Sequence, residues 1–399
     1  MHMRTNIEID VDLMKDVQLK CNVKSKKQAI DLALRTLLRL NRKETIAQHI
    51  DNIGSDDGLI DLSLLETVKR ECNLKSTTSA IELGLRSILR IIRQNSVRQL
   101  SGARGHDGDI VWSPASEMLF NRLRYSIDER VAVSYDRRLL DDYQPNVDFM
   151  LPRELAHELL QASTLAVGHP DTTKEVSDLL MMDFIWGGVR LRGNGFSRCG
   201  ARNVLSSNER RDDSDTIDVL GHWAAYMHLI WGVGGLELTC ERIREMQVQH
   251  VSGILAPEEM GRYRQQPKNV TGSRYVPPSE ESLLDEMMDI LIRKACAIIN
   301  PIEAAFFLWL HLAYLHPFDT ANHRVSRTAM NIPLLKACLV PITFINVDRI
   351  DYQKAMLGFY EFGDISIAAD LFVWTYMQSA HRYAGFCVEG AWSQEYLRR

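Results

Sequence analysis

The sequence predicts a mainly α-helical protein, and three observations lead to that fold class. Most apolar residues after position 150 recur at helical spacing, strand-like stretches are few, and 45% of the 399 residues are hydrophobic. The chain carries 47 Lys and Arg against 52 Asp and Glu, which gives a formal charge of -5. This composition is typical of a globular protein and excludes a wholly disordered chain or a nucleic-acid polycation.

The N-terminal part of the chain contains an internal repeat with an offset of 51 residues. Cys21–Ser25 corresponds to Cys72–Ser76, and Ala29–Arg35 corresponds to Ala80–Arg86. Each copy is predicted to form a short strand and two helices, and Ser25 suits the N-cap of the second helix in the first copy. Because a unit of about 45 residues cannot bury a core alone, the two copies are expected to need partners.

The first copy resembles the ribbon-helix-helix family, specifically VapB-type antitoxins. The start MRTNI and the later stretch from Ala29 to Arg35 carry the likeness, which covers residues 3–43 and, more weakly, 57–93. The resemblance implies DNA binding through residues 3–43 and makes a homodimer plausible. In the second copy Ser55, Asp57 and Leu59 replace Arg4, Asn6 and Glu8, and these are poor base or phosphate readers. A module that serves only assembly therefore remains an equal alternative.

Composition shifts along the chain suggest the domain boundaries. A stretch rich in Gly and polar residues predicts a linker over 94–112, after repeats at 1–50 and 51–93. The remainder, 113–399, is predicted to hold a helical part at 113–250 and a core at 251–380. The seven Cys are scattered without a CxxC pair, and the N-terminus is charged from its first residues. These features predict a cytoplasmic protein with buried thiols and without a membrane span.

Three long helices and one hairpin are predicted within the core. The helices cover Leu283–Asn300, Ile302–Leu315 and Thr328–Leu339, and the hairpin covers Gly261–Val276. Between the second and third helices lies the segment HPFDTANHRVSR, which runs from His316 to Arg327. A helix that begins near Asn322 directs its first N–H groups towards an anion, and Arg324 and Arg327 lie on neighbouring turns. The residues therefore predict a phosphate site with His316 as a proton acceptor, although a structural His and salt-bridged Arg remain the alternative.

This segment resembles the Fic motif, and the surrounding residues 145–380 resemble the Fic family. Tyr275–Ser279 and the stretch around Arg262 match the flap hairpin of that family, which would hold a target protein through Ser273, Arg274 and Tyr275. The resemblance implies a protein adenylyltransferase that moves AMP from ATP to a Ser, Thr or Tyr hydroxyl, with His316 as general base. It also implies nucleotide contacts from Phe318, Ala321, Asn322, His323, Arg324 and Arg327.

Three departures from the motif leave other activities open. Thr320 occupies the position of the acidic Mg²⁺ ligand, Ala321 replaces the first Gly, and His323 replaces the second. A neutral hydroxyl is a weak Mg²⁺ ligand, so Mg²⁺ is expected from the family but is doubtful here. Doc-type phosphotransferases also carry Ala at the first Gly. A Doc-like protein phosphotransferase and a catalytically inactive, DNA-linked nucleotide-binding regulator of toxin–antitoxin origin therefore remain alternatives.

A further departure concerns regulation. The segment from Gly188 to Asn194 resembles the inhibitory helix of many Fic proteins, whose glutamate pairs with the last motif Arg. Here Arg192 stands at the glutamate position and is followed by Gly193 and Asn194. Since two guanidinium groups at contact distance repel each other, the usual inhibitory pair with Arg327 is expected to be absent.

Overall fold

The computed structural model describes residues 25–41, 62–71, 110–166, 174–207, 213–231 and 236–383, with a few single positions among the first hundred. The chain separates into two compact units, Met1–Ser96 and Val97–Arg399. The predicted strand at 4–9 and most of the predicted linker at 94–112 lie outside the described residues. The described part is predominantly helical, which confirms the predicted fold class.

The N-terminal unit shows the internal repeat in its buried residues. Helix α1 covers Lys26–Asn41 and helix α2 covers Leu62–Glu71. The Ser25 hydroxyl accepts the Gln28 N–H at 3.2 Å, which confirms the predicted N-cap. Residues buried in one copy recur 51 positions later in the other, in the pairs Met14 and Leu65, Ala29 and Ala80, Ile30 and Ile81, and Leu34 and Leu85.

The two copies touch at equivalent positions. A Cβ atom on Gly84 would lie 2.5 Å from the carbonyl oxygen of Ala33, and position 84 is the counterpart of position 33 in the repeat. This is the contact expected when two similar units cross about an approximate two-fold axis. Within this unit, one copy therefore supplies packing surface to the other.

The C-terminal unit is built from thirteen helices and one short sheet within its described residues. The helices are α3 Pro114–Leu123, α4 Arg138–Asp141, α5 Arg153–Ala166, α6 Lys174–Arg190, α7 Arg198–Ser206, α8 Ser214–Trp231, α9 Cys240–Val251, α10 Glu281–Ala297, α11 Pro301–Leu315, α12 Asn322–Ala329, α13 Asn331–Lys336, α14 Arg349–Phe362 and α15 Ser366–Arg382. The strands are β1 Val133–Ser134 and β2 Tyr275–Val276, and short 3₁₀ turns cover Ile127–Glu129 and Pro257–Glu259.

Helix α11 forms the centre of this unit. Its residues from Ile302 to Leu315 are all buried, and α10, α12, α13 and α14 pack around it. A helix that is apolar on every side is stable only when protein covers every side. The Asn300 side chain caps its N-terminus by accepting the Ile302 and Glu303 N–H groups. The helix ends at Leu315, directly before His316.

The segment after α11 contains two helices where the sequence predicted one over Thr328–Leu339. Helix α12 begins at Asn322, as expected for an anion-binding turn, and α13 begins at Asn331. The break at Met330 coincides with Pro333, which lacks the N–H that would continue the α12 hydrogen-bond ladder.

The predicted hairpin over Gly261–Val276 is not formed. Strand β2 instead pairs in parallel with β1, with Tyr275 opposite Val133 and Val276 opposite Ser134. The first arm of the expected hairpin bonds elsewhere, because the Arg264 N–H donates to the Pro317 carbonyl at 2.9 Å. The stretch is thus joined to the loop after α11 through backbone hydrogen bonds.

None of the helices in the described ranges is both long and apolar enough to cross a membrane. Among the described Cys, Cys199 and Cys296 are exposed and form no disulfide. The expectation of buried thiols is therefore wrong for these two residues.

Candidate functional site

The loop between α11 and α12 is held in a tight conformation by its own residues. His316 has φ 49° and Ala321 has φ 73°, so both adopt the left-handed conformation that usually favours Gly. The Asn322 amide oxygen accepts the Phe318 N–H at 2.9 Å, and its nitrogen donates to the Phe318 carbonyl at 2.7 Å. Asn322 therefore supports the loop. Both ends of its side-chain amide, which was expected to contact the nucleotide, are already bonded to the Phe318 backbone.

A cavity of about 580 Å³ opens beside this loop. Phe318 does not line it, because its ring is buried and packs at 5.7 Å from the Tyr263 ring. The expectation of a nucleotide contact from the Phe318 side chain is corrected accordingly. The other predicted residues of the segment do line the cavity, and they are His316, Thr320, Ala321, Asn322, His323, Arg324 and Arg327.

His316 is a buried base at the floor of the cavity. The residue is only 4% exposed. Its ring centroid lies 5.2 Å from the ring centroid of His323 and 5.6 Å from that of Tyr360. Burial lowers the pKa of His316 to about 4, and the positive charges of Arg264 and Lys268 add to that effect. The imidazole is therefore neutral near pH 7 and able to accept a proton.

A carboxylate that the sequence did not reveal lies behind the cavity. Asp218 on α8 is buried, and its Oδ1 atom lies 3.2 Å from Nη1 of Arg324 and 2.7 Å from Nη1 of Arg192. Arg324 also donates to the His250 carbonyl at 2.8 Å. Burial lowers the pKa of Arg324 to about 10, which leaves it charged near pH 7. Asp218 thus neutralises part of the positive charge that faces the cavity.

Arg327 is held in a different way. It donates to the Gly188 carbonyl at 3.3 Å, and its guanidinium lies 5.1 Å from the centroid of the Tyr352 ring. No carboxylate in the described ranges forms an ion pair with Arg327. The aromatic contact keeps the group in place without neutralising it, so that its charge is available to an anion.

The three residues predicted to be regulatory have different positions. Arg192 lines the cavity and pairs with Asp218. Gly193 forms a turn with φ 95°, and a Cβ atom added at this position would lie 2.6 Å from Nη1 of Arg349. Asn194 bonds to the Asp215 carbonyl at 2.9 Å and does not line the cavity. Only Arg192 of the three presents charge to the site.

Of the three residues that were expected to dock a target, Tyr275 is buried and Ser273 is hydrogen-bonded within the fold. Tyr275 is 1% exposed and stacks on Tyr314 with ring centroids 4.7 Å apart, so its side chain cannot touch a docked protein. Ser273 donates to the Glu361 carboxylate at 2.6 Å, and the Arg274 N–H also donates to that carboxylate, at 3.1 Å. Residues 268–272 line the cavity instead. Target contacts from Ser273 and Arg274 stay predictions, whereas the Tyr275 side chain is buried within the fold.

The residues around Thr320 do not fit a Mg²⁺ site. Mg²⁺ prefers carboxylate and phosphate oxygens, but the described residues that line the cavity include neither Asp nor Glu. Asp319 is exposed and does not line it, and its carbonyl is contacted by the Lys268 ammonium. The described chain also lacks any cluster of three His, Cys, Asp or Glu side chains suited to a metal ion. Thr320 alone cannot replace the expected acidic ligand.

Several site residues escaped the sequence analysis for a physical reason. Asp218 lies on α8, before the loop in sequence, and Arg349 begins α14, after it. No local sequence spacing connects either residue with the loop. Lys268 stands in the stretch that was taken for a hairpin turn, so only its position opposite the loop indicates its role. Among the described residues, the cations that line the cavity are Arg192, Lys268, Arg324, Arg327 and Arg349.

Five cations among the described residues, a neutral imidazole and a helix N-terminus line the cavity, an arrangement chemically suited to the class of sites that hold phosphates. Comparison with known families agrees with this class. Residues 237–334 match the model of the Fic/DOC family, and residues 3–49 match that of the bacterial antitoxin of type II TA system, VapB. The chain is thus similar to the Fic/DOC family over a stretch that includes the whole loop from His316 to Arg327, which confirms the resemblance seen in the sequence.

Two curated relatives show the same likeness over part of their length. "Protein adenylyltransferase Fic" of Nematostella vectensis is 37% identical over 120 residues, which cover 29% of this chain and 27% of that protein. "Protein adenylyltransferase fic-1" of Caenorhabditis elegans is 27% identical over 182 residues, covering 43% and 35%. The solved structure of Fic-1 residues 134–508 from C. elegans is 20% identical, with a TM-score of 0.44, and covers 88% of this chain and 98% of that one. The chain thus spans about a third of the length of the curated relatives it matches.

Proposed function

We propose that this protein is an adenylyltransferase that moves AMP from ATP to a hydroxyl side chain of a target protein. The observation that carries the proposal is the convergence of neutral His316 with Arg324 and Arg327 in one cavity. The names of the relatives, which are protein adenylyltransferases, support the same activity.

The proposed step begins when His316 takes the proton of the target hydroxyl. The freed oxygen attacks the α-phosphorus of ATP, a new P–O bond forms, and the bond to the β-phosphate oxygen breaks. Pyrophosphate leaves with the electron pair of that bond, and the negative charge that develops is stabilised by the guanidinium groups of Arg324 and Arg327. The loop holds the reacting groups in place because Asn322 fixes the Phe318 backbone.

A lysate incubated with labelled ATP tests this proposal. We expect transfer of label from α-³²P-ATP to a protein, no transfer from γ-³²P-ATP, and loss of transfer in His316→Ala. His157→Ala is a suitable control, since His157 is an exposed residue that does not line the cavity. Absence of α-label transfer by the unmodified protein would refute the proposal.

A Doc-like protein phosphotransferase is the second candidate. The ring of His323 stands 5.2 Å from that of His316, and Ala321 is present where a Gly would leave more room. This bulk next to the base favours a bound nucleotide that presents its γ-phosphate instead of its α-phosphate. Transfer of γ-label alone would identify this activity.

A regulator without catalysis is the third candidate. The pair of Asp218 with Arg324 and the neutral Thr320 favour it, because both reduce the means of stabilising a transition state. Nucleotide binding without transfer of either label would identify this function. In that case the chain would report nucleotide levels.

The N-terminal unit is proposed to bind DNA through residues 3–43, and the VapB-type match over 3–49 supports this assignment. Titration of labelled duplex DNA at two salt concentrations tests it, because contacts to phosphates weaken steeply as salt rises. The predicted homodimer and the predicted cytoplasmic location stay predictions.

A further inference from the structure

The cavity is unusual in its balance of charge. Five cationic side chains line it, no carboxylate among the described residues does so, and Asp218 offsets only part of the positive charge from behind Arg324. An excess of positive charge in a partly buried cavity is costly unless an anion occupies it. The excess is comparable to the charge of a nucleoside triphosphate that carries no metal.

We propose that the cavity holds the polyphosphate of its donor directly with these cations, without a metal ion bound by the protein, and that the Lys268 ammonium replaces the metal. The inference rests on the proposed function, since it concerns how the donor of that reaction is bound. It assigns a binding residue that the motif does not contain.

The position of Lys268 supports its role. Its ammonium contacts the carbonyl of Asp319, which precedes Thr320, the residue at the position of the expected metal ligand. The group therefore lies beside the turn that leads into α12, whose first N–H groups have no carbonyl partner within the helix. An ammonium is a compact charge with three donors, so that it can bond to the carbonyl and to a phosphate oxygen at the same time.

The backbone around Lys268 is an irregular stretch joined to the loop that carries His316. Residues 265–272 are not helical, and the chain turns at Gly261 and Gly272, which have positive φ values of 69° and 79°. Arg264 anchors the stretch, because its Nε atom donates to the His316 carbonyl at 2.7 Å. The lysine is thus tied to the same loop that carries the base.

Calorimetric titration with inorganic tripolyphosphate tests the inference separately from group transfer. In EDTA we expect the unmodified protein to bind tripolyphosphate, and excess Mg²⁺ should leave the affinity unchanged or reduce it. Lys268→Met should weaken binding by about tenfold or more, Lys268→Arg should retain most of it, and Lys336→Met, an exposed control outside the cavity, should behave as the unmodified protein.

Thr320→Asp supplies the opposite test. Restoring the acidic residue should weaken binding in EDTA and make it dependent on Mg²⁺, because a carboxylate facing the anion needs a bridging cation. The inference is overturned if the unmodified protein binds tripolyphosphate only with Mg²⁺, if it does not bind it at all, or if Lys268→Met binds as tightly. Failure of α-label transfer with intact tripolyphosphate binding would refute the adenylyltransferase proposal and leave this inference standing.

Discussion

Asp218, behind the cavity, forms a buried ion pair with Arg324, which lines it, and Oδ1 of the carboxylate lies 3.2 Å from Nη1 of the guanidinium. The same oxygen lies 2.7 Å from Arg192, which is 45% exposed at its side chain. The contact with Arg192 is therefore screened by water, whereas the contact with Arg324 is sheltered. One carboxylate thus restrains two cations that face the site.

Replacement of Asp218 by Asn is expected to lower stability and to raise the affinity for an anion. The change leaves Arg324 buried without its counter-charge, which costs about 3 kcal/mol in the free energy of unfolding, and it frees Arg324 for a phosphate. Urea unfolding and tripolyphosphate titration measure the two effects. Asp128→Asn, at an exposed position, is the control. Weaker anion binding by Asp218→Asn would contradict this account.

Arg192→Glu is expected to reduce nucleotide transfer. A carboxylate at position 192 would stand beside Asp218, repel the incoming phosphates and compete for the motif arginines. Arg192→Gln removes the charge without reversing it and should show a smaller loss. Initial rates of α-label transfer measure both variants, and a rate of Arg192→Glu equal to that of the unmodified protein would argue against the alignment with the inhibitory helix.

The pH profile of transfer should extend unusually far into acid. The ordinary His pKa is 6.5, but burial lowers that of His316 to about 4, so the base stays neutral at pH 5. We expect kcat, measured at saturating ATP, to be nearly constant from pH 7 to pH 5, since kcat does not report the ionisation of the free nucleotide. A fall centred near pH 6.5, with the protein still folded, would show that His316 titrates normally or is not the base.

The same burial makes stability depend on pH in a defined direction. His316 and His222 have pKa values lowered to about 4 when folded, whereas in the unfolded chain they take up protons near 6.5. The unfolded state therefore binds more protons below pH 6.5, and the free energy of unfolding falls as the pH drops from 6.5 towards 4. Urea unfolding at pH 7 and pH 5 measures this loss and provides the folding control for the kinetic profile.

Gly84→Leu is expected to open the contact between the two N-terminal copies. A Cβ at position 84 would meet the Ala33 carbonyl at 2.5 Å, so a larger side chain forces the helices apart at a cost of about 1–3 kcal/mol. Hydrogen exchange of the segment 25–41 should become faster. Glu66→Leu, at an exposed position, is the control and should leave the exchange unchanged. Equal exchange in both variants would contradict the contact.

The sequence by itself determined the helical class, the repeat, the N-cap at Ser25 and the segment from His316 to Arg327. These features are local, since helical periodicity, capping and motif spacing act within a few turns of the chain. The start of α12 beside the loop could be predicted for the same reason.

Only the tertiary structure decided the partners of that segment. The pairing of β2 with β1 in place of a hairpin, the burial of Tyr275, the ion pair of Asp218 with Arg324 and the approach of Lys268 to the loop all join residues remote in sequence. Such contacts depend on how helices pack around α11, and packing selects among many partners of similar chemistry. For that reason the segment indicated phosphate chemistry, whereas the charge balance of the cavity emerged only from the fold.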